Sequence, residues 1–137
     1  MHVLVHVHGS CGAAQPHRGQ ADTVDVLDHE RLDVYRRGLD FCGLALRIAV
    51  QLPRGHAALV DQLRRAATSI PLNVAEGAGK VTPGERAHCY RIARGSAMEC
   101  GAVIDVARLL GGLPDKDLDE AKDLLVRIVA MLTRLCR

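Results

Sequence analysis

From residue 28 onward, apolar side chains return every three or four positions in four separate stretches, the spacing of one face of an α-helix. The first stretch runs from Asp28 to Leu52 and carries Leu32, Tyr35, Leu39, Cys42, Leu46 and Ala49. Asp28 reads as its N-cap, Glu30 and Asp33 sit near its positive end, and Pro53 and Gly55 close it. The second runs from His56 to Ala78 and carries Leu59, Leu63, Ala66, Ile70 and Val74. Pro71 lies inside it. The apolar period continues past the proline, so the helix is expected to bend there rather than stop, with Gly77 and Gly79 ending it.

The third stretch begins after Thr82, an N-cap candidate followed by Pro83 at the first helical position and Glu85 at the capping-box position. Its apolar face is Cys89, Ala93, Ser96, Cys100, Val103, Ala107 and Leu110, and Gly111 and Gly112 stop it. The fourth, Asp115 to Cys136, repeats Leu118, Ala121, Leu125, Ile128, Leu132 and Leu135. Carboxylates crowd its start and Arg134 and Arg137 its end, as the helix dipole favours. Four helices of similar length with short connections predict an all-α, antiparallel up-down-up-down four-helix bundle over residues 28–137.

Residues 1–27 break this pattern and read as a separate, flexible His-rich N-terminal extension, a mobile tail or an upstream start-site extension. Met1–His8 alternates Val or Leu with His, a short strand pattern that is marginal without a partner strand. His2, His6 and His8 would share one strand face, but no carboxylate or cysteine completes a metal site, and an unstructured tail is the simpler reading.

Composition narrows the classes. Hydrophobic residues make up 48% of the chain, enough for a core, but aromatics are only 2%, with no Trp. A core of Leu, Ile, Val and Ala favours helix against helix, and the scarcity of rings excludes an aromatic stacking platform for single-stranded nucleic acid. The five cysteines match neither a zinc pattern nor a disulfide framework, and Cys42, Cys89 and Cys100 fall on apolar faces. A cytoplasmic location is expected, with no membrane span, no signal peptide, no metal and no cofactor. No catalytic constellation emerges either. Glu85 and His88 form one Glu-x-x-His pair without the second that a helical carboxylate–metal site requires, and Ser96 has no evident base.

The second stretch is polar on a regular stripe. Gln62, Arg65, Ser69, Asn73, Glu76 and Lys80 are spaced by three and four, so they share one narrow strip beside the apolar face. A lone bundle does not need such regularity. The stripe predicts a second contact surface: a subunit seam, a ligand groove, or a partly buried ion-pair network uniting Arg65, Glu76 and Glu99. An ordinary solvated helix face is the plainer alternative.

Charge is also uneven. Between Arg54 and Arg94 seven Lys and Arg face three carboxylates, whereas Asp115–Asp123 holds two lysines and five carboxylates. One region of the bundle is therefore expected to be positive, and self-association would multiply it into a surface for phosphates. Arg64, Arg65, Lys80, Arg86, Arg91 and Arg94 are the candidate contacts.

Two blocks carry a family resemblance. Gln62-Leu63-Arg64-Arg65-Ala66-Ala67-Thr68-Ser69-Ile70-Pro71-Leu72-Asn73-Val74-Ala75-Glu76-Gly77 resembles the signature of the four-helix-bundle proteins of the 23S rRNA intervening sequence family. Tyr90-Arg91-Ile92-Ala93-Arg94-Gly95-Ser96-Ala97-Met98-Glu99 is similar to that family's second block, in the right order and at the right distance. The resemblance spans Leu32 to Leu135. It implies a small bacterial bundle without enzymatic activity, similar to the accessory proteins of diversity-generating retroelements. Those proteins assemble as pentamers and bind a reverse transcriptase and nucleic acid. Carried over by motif, Arg64, Arg65, Asn73, Glu76, Gly77, Gly95, Ser96 and Glu99 are the family positions, with structural or subunit-contact roles. Gln62 and Ser69 join that structural set. The run after the first block departs from the family, since its basic positions are reduced to Lys80 followed by Val81-Thr82-Pro83.

Two functions follow as expectations. The first is a non-enzymatic homo-oligomer whose basic surface contacts RNA or DNA phosphates without reading bases. The alternative is a homo-oligomeric scaffold or adaptor that binds a protein partner and no nucleic acid.

Overall fold

A computed structural model describes residues 27–137; the expectations for the His-rich extension, including His2, His6 and His8, lie outside the described residues. Four helices follow a short 3-10 turn at Asp28–Arg31: α1 (Asp33–Gln51), α2 (Ala57–Ala78), α3 (Pro83–Leu110) and α4 (Asp115–Leu135). No strand occurs among the described residues. Each helix packs on the two that adjoin it around a square, with α1/α3 and α2/α4 on the diagonals. Contacts run antiparallel between successive helices, Gly38 lying beside Pro71 at the α1/α2 corner. Cys42 meets Ala67 between α1 and α2. Gln62 meets Glu99, and Ser69 meets Ser96, between α2 and α3. Asp105 meets Lys122, and Arg94 meets Thr133, between α3 and α4. The bundle is up-down-up-down as the periodicity predicts.

The core is aliphatic apart from Phe41 and Tyr90. Phe41, Ile48, Leu63, Ile70, Ile104, Leu118, Ile128 and Leu132 are fully buried, with Ala45, Ala67, Ala93, Ala107 and Ala121 between them. Small residues at the contacts let the helices close up, and Leu and Ile fill the centre in well-defined rotamers.

Two expectations for α1 need correction. Asp28 does not cap it. Leu32 adopts an extended conformation (φ −86°, ψ 125°), which separates the 3-10 turn from an α-helix that begins at Asp33. The expected seam is buried only in part: Cys42 and Ala49 lie in the core and Leu32 and Tyr35 pack against it, but Leu39 and Leu46 do not. Val34, Gly38, Phe41, Cys42, Ala45, Ile48 and Ala49 point inward, while Leu39 and Leu46 stay 48% and 44% exposed. α1 is apolar on two faces, and the spacing of three and four holds for both.

The other boundaries follow the sequence closely. Thr82 Oγ1 accepts the Glu85 N–H at 3.2 Å and caps α3. Gly111, with φ +75°, ends it in a conformation that side chains avoid. α2 runs unbroken through Pro71, which is buried. The ring removes the amide that would bond the Ala67 carbonyl four residues back. That carbonyl accepts the Cys42 thiol from α1 at 2.9 Å instead. Here the structure supplies a role that the reading of Cys42 as a small hydrophobe missed.

Candidate functional site

The polar stripe of α2 faces α3 and forms a ladder along it. Gln62 Nε2 donates to Glu99 Oε1 at 3.0 Å. Further along, the hydroxyls of Ser69 and Ser96 are 2.8 Å apart. Asn73 Nδ2 then donates to the Ser69 carbonyl and hydroxyl, both at 2.9 Å. Past the serines the two helices come into close contact at Gly77. A Cβ on Gly77 would lie 2.7 Å from Tyr90 Cε1 and 3.0 Å from the Cys89 Cβ, so only glycine fits. At its open end the ladder widens into a groove of about 500 Å³ lined by Ala58, Gln62, Arg65, Ser69, Ser96 and Glu99. The stripe thus unites Gln62, Ser69, Asn73, Ser96 and Glu99, three of them from the first block and two from the second.

The ion-pair network expected of Arg65, Glu76 and Glu99 does not form. Glu99 bonds an amide, and Glu76 pairs with Lys80 at 3.6 Å within its own helix. Arg65 lines the groove without an ion pair among the described residues. Arg65 and Glu99 are exposed, and the Glu76 carboxylate is more than half exposed. Charges that keep their hydration gain little by pairing, so nothing drives the three together.

The six candidate cations are not one patch. Lys80 is held by Glu76. Arg86 Nη1 donates to the carbonyls of Lys80 and Val81 at 3.1 and 2.9 Å and so pins the loop between α2 and α3. Arg94 Nε donates to Thr133 Oγ1 at 2.9 Å and ties α3 to α4. Arg64, Arg65 and Arg91 are exposed, and no ion pair holds them among the described residues. Arg64 and Arg65 are adjacent on α2 and so point about 100° apart. Gly95 is exposed, and a Cβ there would meet nothing within 4 Å.

Two features carried no separate signal in the sequence. One is an apolar groove of about 490 Å³ between α3 and α4, where Ala97, Met98, Ala102, Val126 and Ala130 lie over Leu125. The other is thiol chemistry. Burial pushes Cys42 up to about 11 and Cys100 up to about 12, so both are neutral thiols at physiological pH. Cys42, Cys89, Cys100 and Cys136 form no disulfide. Among the described residues no three His, Cys, Asp or Glu side chains gather to hold a metal, and no helix is long and apolar enough to cross a membrane.

A square bundle whose α2/α3 corner is stitched by a serine pair, an amide ladder and a glycine contact defines a class of small helical proteins. The chain belongs to the 23S rRNA-intervening sequence protein family, whose model matches residues 30–134. No curated protein matches it.

Proposed function

We propose that this protein acts without catalysis, as a self-associating helical scaffold. The observation that carries this reading is the set of large apolar side chains left outside the bundle on α1, α3 and α4. Val50, Met98, Leu109 and Val126 are each more than half exposed. Met98 and Val126 line one apolar groove between α3 and α4, and a contiguous exposed apolar patch marks a protein-contact surface. A structural role for the ladder agrees with this, because its hydroxyls and amides are spent on one another. The neutral thiols of Cys42 and Cys100 also lack the thiolate that nucleophilic chemistry needs. Light scattering on the purified protein tests the reading: a mass several times that of the 14.8 kDa chain supports it, and a monomer refutes it.

A second function on the same scaffold is contact with RNA or DNA phosphates. Arg64, Arg65 and Arg91 favour it, being exposed cations with no carboxylate already holding them among the described residues. Repetition of these three around an assembly would raise the local positive potential. Titrating nuclease-treated protein with a structured RNA at two salt concentrations checks this, since phosphate contacts give an affinity that falls steeply with salt.

A further inference from the structure

We infer that the groove between α2 and α3 binds a small zwitterion, an α-amino acid or a compound carrying the same neighbouring ammonium and carboxylate. The groove measures about 500 Å³, a size that takes small molecules. Its polar groups all stand on two helices, which hold them in fixed relation, and none comes from a loop.

A cation and an anion line this groove without pairing. Arg65 and Glu99 both face it, yet no ion pair joins them. Gln62 is the reason. Its Nε2 holds Glu99 Oε1 at 3.0 Å and draws the carboxylate to the Gln62 side. The Arg65 guanidinium keeps its fork of N–H donors for another partner, and Glu99 Oε2 and Gln62 Oε1 stay open as acceptors. The serine rung adds a donor. Its two hydroxyls carry two hydrogens, and only one of them lies in the 2.8 Å contact between Ser69 and Ser96. Asn73 donates to Ser69 Oγ and takes up neither hydrogen. Whichever serine donates to the other, one hydroxyl hydrogen is left over.

The order of these groups selects the ligand and its direction. On α2, Arg65 lies between Gln62 and Ser69. On α3, Ser96 and Glu99 are three residues apart, which separates the donor end from the acceptor end by about 4.5 Å along the axis. A carboxylate seated between Arg65 and the serine pair takes two guanidinium bonds and the spare hydroxyl. An ammonium one carbon away then reaches Glu99 Oε2 and Gln62 Oε1. A simple anion would gain Arg65 but meet Glu99, and a simple cation would gain Glu99 but meet Arg65. A molecule carrying both charges at short range satisfies both. Ala58 and Ala66 are the apolar part of the wall, and their small side chains leave room for the substituent on the ligand's central carbon. Arg65 and Glu99 are exposed and keep much of their hydration, so the affinity is low, with a Kd of about 1 mM.

Titration of the full chain with L-alanine, followed by amide chemical shifts in NMR, tests this. Saturable shifts at Arg65, Ser69, Ser96 and Glu99 are expected. N-acetylalanine lacks the ammonium and alaninamide lacks the carboxylate, so each should bind at least about tenfold more weakly. Arg65→Gln and Glu99→Gln each remove one charge at an exposed position, and the new amide of Glu99→Gln can still accept from Gln62. Both variants should keep their helices by circular dichroism and lose alanine affinity by the same factor. The inference is overturned by an absence of saturable shifts up to about 50 mM alanine. It is equally overturned by a single-charge analogue that binds as tightly as alanine, or by folded variants that bind it as the wild type does.

Discussion

The Cys42 thiol reaches from α1 to the one carbonyl of α2 that Pro71 leaves without its helical partner, Ala67 O, at 2.9 Å. Each residue explains the other. Proline inside a helix removes one amide donor, and burial here would strand the acceptor. A thiol on the neighbouring helix is small enough to fit the apolar seam and supplies a weak donor. Burial also keeps the thiol protonated, with its pKa pushed up to about 11, so the donor is present throughout the physiological range.

Replacing Cys42 should therefore cost more than its volume. Cys42→Ala is expected to lose about 2 kcal/mol, from the weaker packing without sulfur together with the unsatisfied carbonyl. Cys42→Ser, which keeps a donor, should lose less. Pro71→Ala restores the amide, and in that background the penalty of Cys42→Ala should shrink by about 1 kcal/mol. Urea melts of the four proteins in the cycle measure the coupling. Equal penalties in both backgrounds would show that the thiol acts by packing alone.

The same thiols set a direction for pH. Cys42 and Cys100 are raised above their ordinary value of 9.0, to about 11 and about 12. In the unfolded chain they ionise near 9.0, while the folded state still holds both protons. Stability is thus full below that unfolded value and falls as the pH climbs from there through the folded values. Chemical denaturation at about pH 8 and about pH 10, either side of the unfolded value, should give a lower midpoint at the higher pH. Cys42→Ser/Cys100→Ala should flatten the difference.

At the other end of α2, Gly77 and Tyr90 lie too close for any side chain between them. Gly77→Ala gains about 1 kcal/mol of helix propensity. It loses about 1–3 kcal/mol by overpacking a buried ring. A net loss near 1 kcal/mol should lower the melting temperature by about 4–8 °C for a domain of this size. The serine pair is a gentler test. Ser96→Ala leaves Ser69 bonded to Asn73 and should cost about 1 kcal/mol. Glu99→Ala, at an exposed end of the ladder, should change the melt by less than about 0.5 kcal/mol.

Much of this was legible in the sequence, and the failures have physical causes. Helix α3 announces its start through Thr82, Pro83 and Glu85 because each satisfies or avoids a terminal amide, a local property. The face of α1 is not local. Leu39 and Leu46 fit a helical seam as well as Phe41 and Ile48 do, and only the neighbouring helices decide which faces inward. The stripe on α2 was visible as a surface, but its partners were not: Gln62 finds Glu99 and Ser69 finds Ser96 only once α3 folds back. Arg86 and Arg94 looked like free cations because backbone carbonyls and a distant Thr133 leave no mark near them in the sequence.

That last distinction separates two kinds of arginine by experiment. Arg86→Ala removes two bonds to carbonyls of the loop between α2 and α3, so it should lower stability by about 1–2 kcal/mol. Any effect on nucleic acid should follow only from unfolding. Arg64→Glu, Arg65→Glu and Arg91→Glu remove exposed charges, so their effect on stability should stay within about 0.5 kcal/mol. If RNA binding uses these three, the slope of log affinity against log salt should fall by about one for each phosphate no longer neutralised. Melting curves and RNA titrations on the same preparations supply both axes. Unchanged RNA affinity in the triple variant would leave the scaffold without a nucleic-acid surface at these arginines.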